Sequence, residues 1–161
     1  MISTKIGFKI ITLLTFCIVL SGCGFKPLSM KNINNISLIK LDTTGNKIIN
    51  YKISNYLKQA LGFKTDNPNK ITVAINSEKK RTIKEKDSKN EITKYNLTII
   101  SEIKVNVLED NTSFTFTLKK LNEYKVNNQY SKTIQNEKRA INEILNVLTQ
   151  DIVKNILLKM Q

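Results

Sequence analysis

The chain has 161 residues, and its 26 basic residues against 13 acidic ones give a formal net charge of +13. It contains neither histidine nor tryptophan, which excludes histidine-based acid–base catalysis and histidine metal ligation. Only two cysteines are present, and the acidic residues are spread along the chain without a carboxylate pair that stands out as catalytic. This composition disfavours an enzyme, and we expect neither a cofactor nor a metal site.

The first 22 residues are organised as a secretory signal peptide. Lys5 and Lys9 supply a basic segment, and an apolar run follows from residue 10 to residue 20. That run is well short of the roughly 20 apolar residues that a membrane-spanning helix needs. The leader ends in L-S-G-C at positions 20–23, which resembles the lipobox of bacterial lipoproteins. This resemblance implies that Cys23 is the first mature residue and that its sulfur and its amine are acylated.

An acylated Cys23 would anchor the chain to a membrane without any spanning segment. Each buried CH₂ contributes roughly 0.8 kcal/mol, and a single chain gives only reversible binding, so several chains are needed for a stable anchor. Gly24 follows the cysteine, where aspartate is the usual inner-membrane retention signal in enteric bacteria. The resemblance therefore favours the cell outer membrane, with the folded part in the periplasm. The other cysteine, Cys17, lies in the leader, so we expect no disulfide in the mature chain.

Removal of the leader leaves 139 residues, enough for one domain, with 24 basic against 13 acidic residues and a net charge of +11. This charge has two interpretations. One is a polyanionic partner such as lipid phosphates, and the other is the Lys/Asn/Ile excess of an AT-rich genome. Only Arg81 and Arg139 are arginines, although arginine binds phosphate better than lysine does because its guanidinium can donate two hydrogen bonds at once. We expect no nucleic acid partner, because the predicted location is periplasmic.

The first half of the mature chain predicts a strand followed by a helix. Residues 23–35, with Pro27 and several asparagines, are typical of a lipidated tether. Alternation over residues 36–41 predicts a strand, and apolar residues at i, i+3 and i+4 predict a helix over residues 47–61.

Turn-forming residues lie on both sides of the predicted helix. The turn over residues 42–46 offers Thr44 or Asn46 as the N-cap. Gly62 is placed to end the helix in a left-handed conformation, with Phe63 folding back on the last turn.

The middle of the chain predicts two strands separated by a charged connection. Residues 65–69 contain a proline and predict a loop, and residues 70–75 predict the second strand. Residues 79–91 hold six basic and three acidic residues, which predicts a solvated connection. Alternation over residues 93–107 predicts a strand longer than the usual 3–10 residues or so, and we expect a bulge at Ile99 and Ile100.

The last third predicts a hairpin strand and a long helix. A turn over residues 109–112 leads into a strand with Phe114 and Phe116 on one face, and a loop follows over residues 127–131. The helix then runs to the end with one apolar stripe: Ile141, Ile144, Leu145, Leu148, Ile152, Ile156 and Leu157.

The predicted element order is β-α-β-β-β-α. Each helix has one apolar stripe and the sheet has one apolar face, so burial is simplest as a four-stranded mixed sheet with two helices packed on one face. A right-handed crossover makes the first two strands parallel, and the later strands are antiparallel. The fold class is therefore α+β, with a single domain over residues 36–161.

Several segments together resemble the lipopolysaccharide-assembly lipoprotein family LptE in its alphaproteobacterial form. The family typically opens its mature part with C-G-F-[RK]-P-L-Y, and this chain has C-G-F-K-P-L at positions 23–28 with Ser29 in place of the tyrosine. Residues 36–61 match the strand and helix that follow, and residues 91–99 (EITKYNLTI) match a strand of the type R-Y-x-L. The loop and long terminal helix over residues 127–158 resemble the ending of the family.

The resemblance implies a non-catalytic role in lipopolysaccharide transport. LptE proteins occupy the lumen of the outer-membrane β-barrel LptD, assist its assembly and contact lipopolysaccharide. In this chain the implied partners are an LptD-type barrel, lipopolysaccharide and the membrane that holds Cys23. The candidate lipopolysaccharide-binding residues are Lys79, Lys80, Arg81, Lys84, Lys119 and Lys120, and the alternative for each is a solvated side chain on a loop or at a strand end.

Three other functions stay open at this stage. A periplasmic carrier would bind lipid in an apolar cavity without any barrel. A structural subunit of another envelope complex would use the helices as a docking surface and would show an exposed apolar stripe on the terminal helix. An enzyme is disfavoured by the missing side chains, and turnover of an envelope substrate would revive it.

Overall fold

A computed structural model describes residues 36–62 and 69–160, which form a four-stranded sheet with two helices on one face. In chain order the elements are β1 (Ile36–Gly45), α1 (Lys47–Leu61), β2 (Asn69–Lys86), β3 (Ile92–Val107), β4 (Thr112–Lys125) and α2 (Tyr130–Lys159). The predicted order and the α+β class are confirmed. The predicted signal peptide, Cys23 and the tether lie outside the described residues, as do Phe63 and most of the predicted loop over residues 65–69.

The sheet has the spatial order β1-β2-β3-β4. β1 and β2 are parallel, with Leu41 opposite Val73, and the other two pairs are antiparallel hairpins. β1 and β2 can be parallel because α1 lies between them in the chain. A parallel pair needs a long crossover connection from the end of one strand back to the start of the next, and α1 provides it. This mixed topology was predicted from the sequence and is confirmed.

The core lies between the helices and one face of the sheet. Alternate residues of β2 and β3 are buried there, as the period of two predicted for these strands requires. The predicted stripe of α2 is buried against them, except that Ile141 is half-buried. The largest side chains that are almost completely excluded from solvent are aliphatic: Leu38, Ile49, Ile53, Leu57, Ile71, Ile75, Leu97, Ile99, Ile103, Leu148, Ile152 and Ile156.

The ends of α1 have capping interactions of the kind predicted. Of the two candidate N-caps, Asn46 is the one used, and its side-chain oxygen accepts a hydrogen bond from the Ile49 amide at 3.2 Å. Gly62 follows the helix at φ 69° and donates its amide to the Lys58 carbonyl at 3.1 Å. The positive φ is as predicted, but ψ is 162°, so Gly62 is in an extended region open mainly to glycine and not in the left-handed helical one.

Two strands are longer than the sequence predicted. β1 continues through the predicted turn to Gly45, because residues 42–45 pair with β2. The prediction of a solvated connection over residues 79–91 is wrong for Lys79–Lys86, which continue β2 and pair with β3. Only residues 87–91 form the turn. The side chains along this half of β2 all reach water, so their charges do not have to be buried when the strand forms. Pairing with β3 satisfies the main-chain groups on one side of the segment.

The bulge predicted at Ile99 and Ile100 is absent. Ile99 lies opposite Lys79 and Ile100 opposite Glu78 in unbroken register. Ile100 simply points to the face opposite the core, so an apolar residue interrupts the sequence pattern without interrupting the pairing. The register shifts lie elsewhere, between Leu38 and Lys40 of β1 and between Ile83 and Lys86 of β2.

Within the described residues, neither helix is sufficiently long and apolar to cross a membrane.

Candidate functional site

The six basic residues singled out in the sequence lie on β2 and β4 and divide between two faces of the sheet. The register places the rows of β2 and β4 on the same two faces, one covered by the helices and one open. The residues on the helix side are Lys79, Arg81 and Lys120. Those on the open side are Lys80, Lys84 and Lys119. Residues adjacent in the sequence, such as Lys79 and Lys80, therefore do not form one cluster.

The two lysines on the helix side connect the sheet to α2. The Lys79 ammonium lies 2.9 Å from a carboxylate oxygen of Glu137, and Lys120 lies 2.5 Å from one of Asp151. The Glu137 side chain is only 14% exposed, so this pair is shielded from solvent on one side. Each of these lysines already has a carboxylate partner, so its charge is less available to an external anion.

Arg81 lies over an aromatic pair that the sequence did not indicate. Its guanidinium carbon is 4.7 Å from the ring centroid of Tyr95, whose own centroid is 5.6 Å from that of the buried Tyr124. The pKa of Arg81 is raised, chiefly by the nearby Tyr124 hydroxyl, although the two groups do not form a hydrogen bond of normal geometry. The guanidinium is thus cationic and lies over the face of the Tyr95 ring, within cation–π distance.

The strand register brings Arg81, Tyr95 and Tyr124 next to one another. Tyr95 and Tyr124 are directly opposite in the β3–β4 hairpin, and Arg81 is diagonal to Tyr95. The alternation of β3 and β4 was visible in the sequence, so the tyrosine pair could have been inferred from it. The position of Arg81 could not, because the charged sequence of residues 79–91 predicts a solvated connection and not a strand.

On the open face, two of the three basic residues have acidic neighbours. Lys80 lies 3.2 Å from a carboxylate oxygen of Glu78, and Lys84 is paired with Glu123 on β4. Lys119 has no acidic partner in the described part of the chain. The surrounding surface is mainly polar and includes Thr72, Asn76, Thr98, Glu102, Lys104, Asn106, Thr115 and Thr117.

A groove runs between α1 and α2 on the helix side. Its volume is about 410 Å³, and it is lined by Ile48, Lys52, Lys79, Ile134, Glu137, Lys138, Ile141 and Asn142. Ile48 is 68% exposed, so an apolar side chain at its rim faces water. Lys52 is hydrogen-bonded to Asn142 across the groove and joins the two helices there. The groove thus combines three isoleucines with a mainly basic rim.

In residues 36–62 and 69–160, no three acidic or cysteine side chains are grouped closely enough to hold a metal ion.

No protein-family model matches the chain, and no curated protein sequence matches it. Solved structures do resemble it. Rare lipoprotein B of Shewanella oneidensis has a TM-score of 0.59 at 12% identity, over 75% of this chain and 96% of its own. A minor lipoprotein of Acinetobacter baumannii has a TM-score of 0.56 at 14% identity, over 79% and 93%. Lipoprotein B of Nitrosomonas europaea has a TM-score of 0.53 at 10% identity, over 83% and 90%.

At these identities the similarity is one of fold. The three proteins are named as lipoproteins, and this chain has the fold that they share. The α+β architecture reached from the sequence is therefore one already known in bacterial lipoproteins.

Proposed function

We propose that this protein is an outer-membrane lipoprotein of the LptE type that forms the plug and assembly partner of an LptD-type β-barrel in lipopolysaccharide transport. The observation that carries the proposal is the fold it has in common with three lipoproteins. The sequence C-G-F-K-P-L at positions 23–28, directly after the leader, supports the more specific assignment. The protein acts in this proposal by binding, without a catalytic step.

The proposed anchor is the acylated Cys23. The domain organisation is then a signal peptide over residues 1–22, a tether over residues 23–35 and the folded domain from residue 36. A tether of 13 residues reaches at most about 45 Å, which allows the domain to lie in the periplasm or within a barrel lumen. The mass of the mature chain tests the anchor, since Cys23→Ser should remove both the lipid and the membrane fraction.

The open face of the sheet suits a plug. The interior of a large outer-membrane barrel is polar, so a protein inside it needs a polar surface and a core of its own. The chain has a closed aliphatic core on the helix side and rows of threonine, asparagine and lysine on the open side. Such side chains offer both donors and acceptors to a barrel wall.

The proposed lipopolysaccharide contact rests with the basic residues whose charge is least compensated. Lys119 has no acidic partner in the described part of the chain, and Lys80 has only an exposed one. Lys84, Lys79 and Lys120 are each paired with a carboxylate of another element. Arg81 forms no salt bridge within the described residues, so we rank Lys119, Lys80 and Arg81 first among the six candidates.

Capture of the protein from solubilised outer membranes tests the barrel partnership. A C-terminally tagged chain would be purified in mild detergent and its partners identified by mass spectrometry. Recovery of a large outer-membrane barrel in equal amount supports the proposal. Recovery of the chain alone, or with unrelated envelope proteins, contradicts it.

A lipid carrier without a barrel is the second candidate, and the groove between α1 and α2 is the observation that favours it. Its volume of about 410 Å³ falls in the range of small-molecule sites, and three isoleucines line it. Native mass spectrometry distinguishes the two functions. A carrier purified alone retains bound lipid, whereas a plug retains the barrel.

A further inference from the structure

β2 extends well beyond its neighbour β1. The pairing of the two strands ends with Gly45 opposite Ser77, after which the chain turns into α1. The next nine residues, Glu78–Lys86, pair with β3 on one side and with no strand on the other in the part of the chain that the structure describes. All nine are exposed. This segment is therefore a second sheet edge, in line with β1.

The main chain of this edge has donors and acceptors directed outward. The Ser77 carbonyl points to the β1 side, because it accepts a hydrogen bond from the Asn46 amide at 2.7 Å. Main-chain groups alternate along a strand, so the N–H and C=O groups of Lys79, Arg81 and Ile83 point to the same side. The Lys70 carbonyl confirms this alternation, since it points to β3 and accepts from the Leu108 amide at 2.9 Å.

The charge of the edge and the apolar groove beside it indicate which kind of strand could bind there. Glu78–Lys86 holds five basic and two acidic residues, a net charge of +3. The groove between α1 and α2 adjoins it on the helix side, at Lys79. An added strand in line with β1 would turn alternate side chains towards the isoleucines of that groove. Its other side chains would lie on the open side beside Lys80, whose acidic partner in the described residues is the exposed Glu78.

We propose that Glu78–Ile83 binds an extended segment of a partner protein as an added β-strand, and that this segment alternates acidic with apolar residues. Main-chain hydrogen bonds to Lys79, Arg81 and Ile83 supply the attachment, and the side chains supply the selectivity. A second copy of the same edge is disfavoured because two segments of charge +3 would repel each other. The inference does not depend on the barrel partnership, because it rests on the edge alone.

Amide hydrogen exchange with two synthetic peptides tests this inference. We would use the purified full-length chain in detergent micelles and nine-residue peptides in which valine alternates with glutamate or with lysine. The Glu/Val peptide should slow exchange of the Lys79, Arg81 and Ile83 amides several-fold, and the Lys/Val peptide should not. Equal protection by both peptides, or protection at β4 instead, would overturn the proposal.

A matched pair of variants separates the main chain from the charge. Arg81→Ala removes the guanidinium but keeps the outward N–H, whereas Arg81→Pro removes both, and proline is tolerated on strand edges. Arg81→Ala should weaken peptide binding several-fold, and Arg81→Pro should abolish it while the β3–β4 amides stay protected. Equal binding by the two variants contradicts strand addition.

A further outcome concerns self-association. If protection of the Lys79, Arg81 and Ile83 amides increases with protein concentration in the absence of peptide, the edge binds a second copy of the chain, and the proposal is overturned. If Arg81→Pro does not fold, the two peptides on the unmodified chain still decide.

Discussion

At the residue scale, Asn46 connects the first strand to the first helix in two ways. Its amide donates to the Ser77 carbonyl at 2.7 Å and closes the β1–β2 pairing. Its side-chain oxygen accepts from the Ile49 amide and satisfies one of the free donors at the start of α1. One residue therefore ends the strand and begins the helix.

Replacement of Asn46 tests the cap. Asn46→Ala should lower the free energy of unfolding by about 0.5–2 kcal/mol, because the first turn of α1 loses its acceptor while the main-chain bond to Ser77 is kept. Asn46→Asp, which keeps an acceptor, should lower it much less. Urea unfolding followed by circular dichroism measures both. Equal losses for alanine and aspartate would show that the side chain does not act as a cap.

Glu85 offers a test through its ionisation. The ammonium of Lys94 lies 2.6 Å from its carboxylate and, by hydrogen bond and then by charge, lowers the pKa of Glu85 below its ordinary value of 4.5. Because the pKa of Glu85 is lower in the folded state, its interaction with Lys94 stabilises the fold fully above pH 4.5. This contribution is lost as the pH falls through the folded-state pKa. The Glu85 side chain is exposed, so the contribution of the pair to stability is small.

An NMR titration of the Glu85 carboxyl carbon should therefore have its midpoint below 4.5. Lys94→Ala should raise that midpoint, and Lys89→Ala, in the neighbouring turn, should leave it unchanged. A midpoint insensitive to Lys94→Ala would mean that the two groups are not paired in solution.

At the element scale, the exit of β1 depends on a glycine. Gly45 has φ +87°, and a Cβ at this position would collide with the Ser77 carbonyl oxygen, which is part of the partner strand's main chain. Gly62, after α1, has φ +69°, but among the described residues no atom other than those of its own helix backbone and its chain neighbours lies within 4 Å of such a Cβ. The two glycines thus have a positive φ in common and differ in the space around them.

The comparison of Gly45→Ala with Gly62→Ala isolates the effect of space. Gly62→Ala should cost about 1–3 kcal/mol from backbone strain alone. Gly45→Ala should cost more, because overpacking against the main chain adds roughly 1–3 kcal/mol. Urea unfolding of both variants measures the difference. Equal costs would contradict the close approach of Gly45 to β2.

The elements also show which parts of the fold were predictable. The stripes of α1 and α2 and the alternation of β3 have a single buried face, so hydrophobic periodicity located them correctly. Lys79–Lys86 contains no buried residue, and its many charges are typical of a solvated connection. Alternation of apolar and polar residues reflects the burial of one face, so a strand segment without buried residues gives no such pattern in the sequence.

The arrangement of the candidate site could not be predicted for a related reason. The sequence located the basic residues, but it could not show that Lys79 and Lys80 face opposite ways until their segment was known to be a strand. The pairing of Lys79 with Glu137 and of Lys120 with Asp151 depends on how α2 crosses the sheet. Such contacts between distant segments have no local signal in the sequence.

At the scale of the whole molecule, the two faces of the sheet have different properties. The helix side holds the aliphatic core and the groove between the helices, and the open side is polar. Exposed apolar side chains occur on both sides, with Leu121 on the open sheet face and Val147 on α2. A plug enclosed by a barrel would be contacted on both sides, whereas a subunit docked through its helices would be contacted on one.

Photo-crosslinking in living cells from both sides of the molecule tests the plug proposal most directly. A photoreactive amino acid would replace Leu121 in one variant and Val147 in another, both of them exposed positions. The proposal predicts that each variant crosslinks to the same large outer-membrane barrel protein. Crosslinks from one side only, or from neither to a barrel, would contradict it.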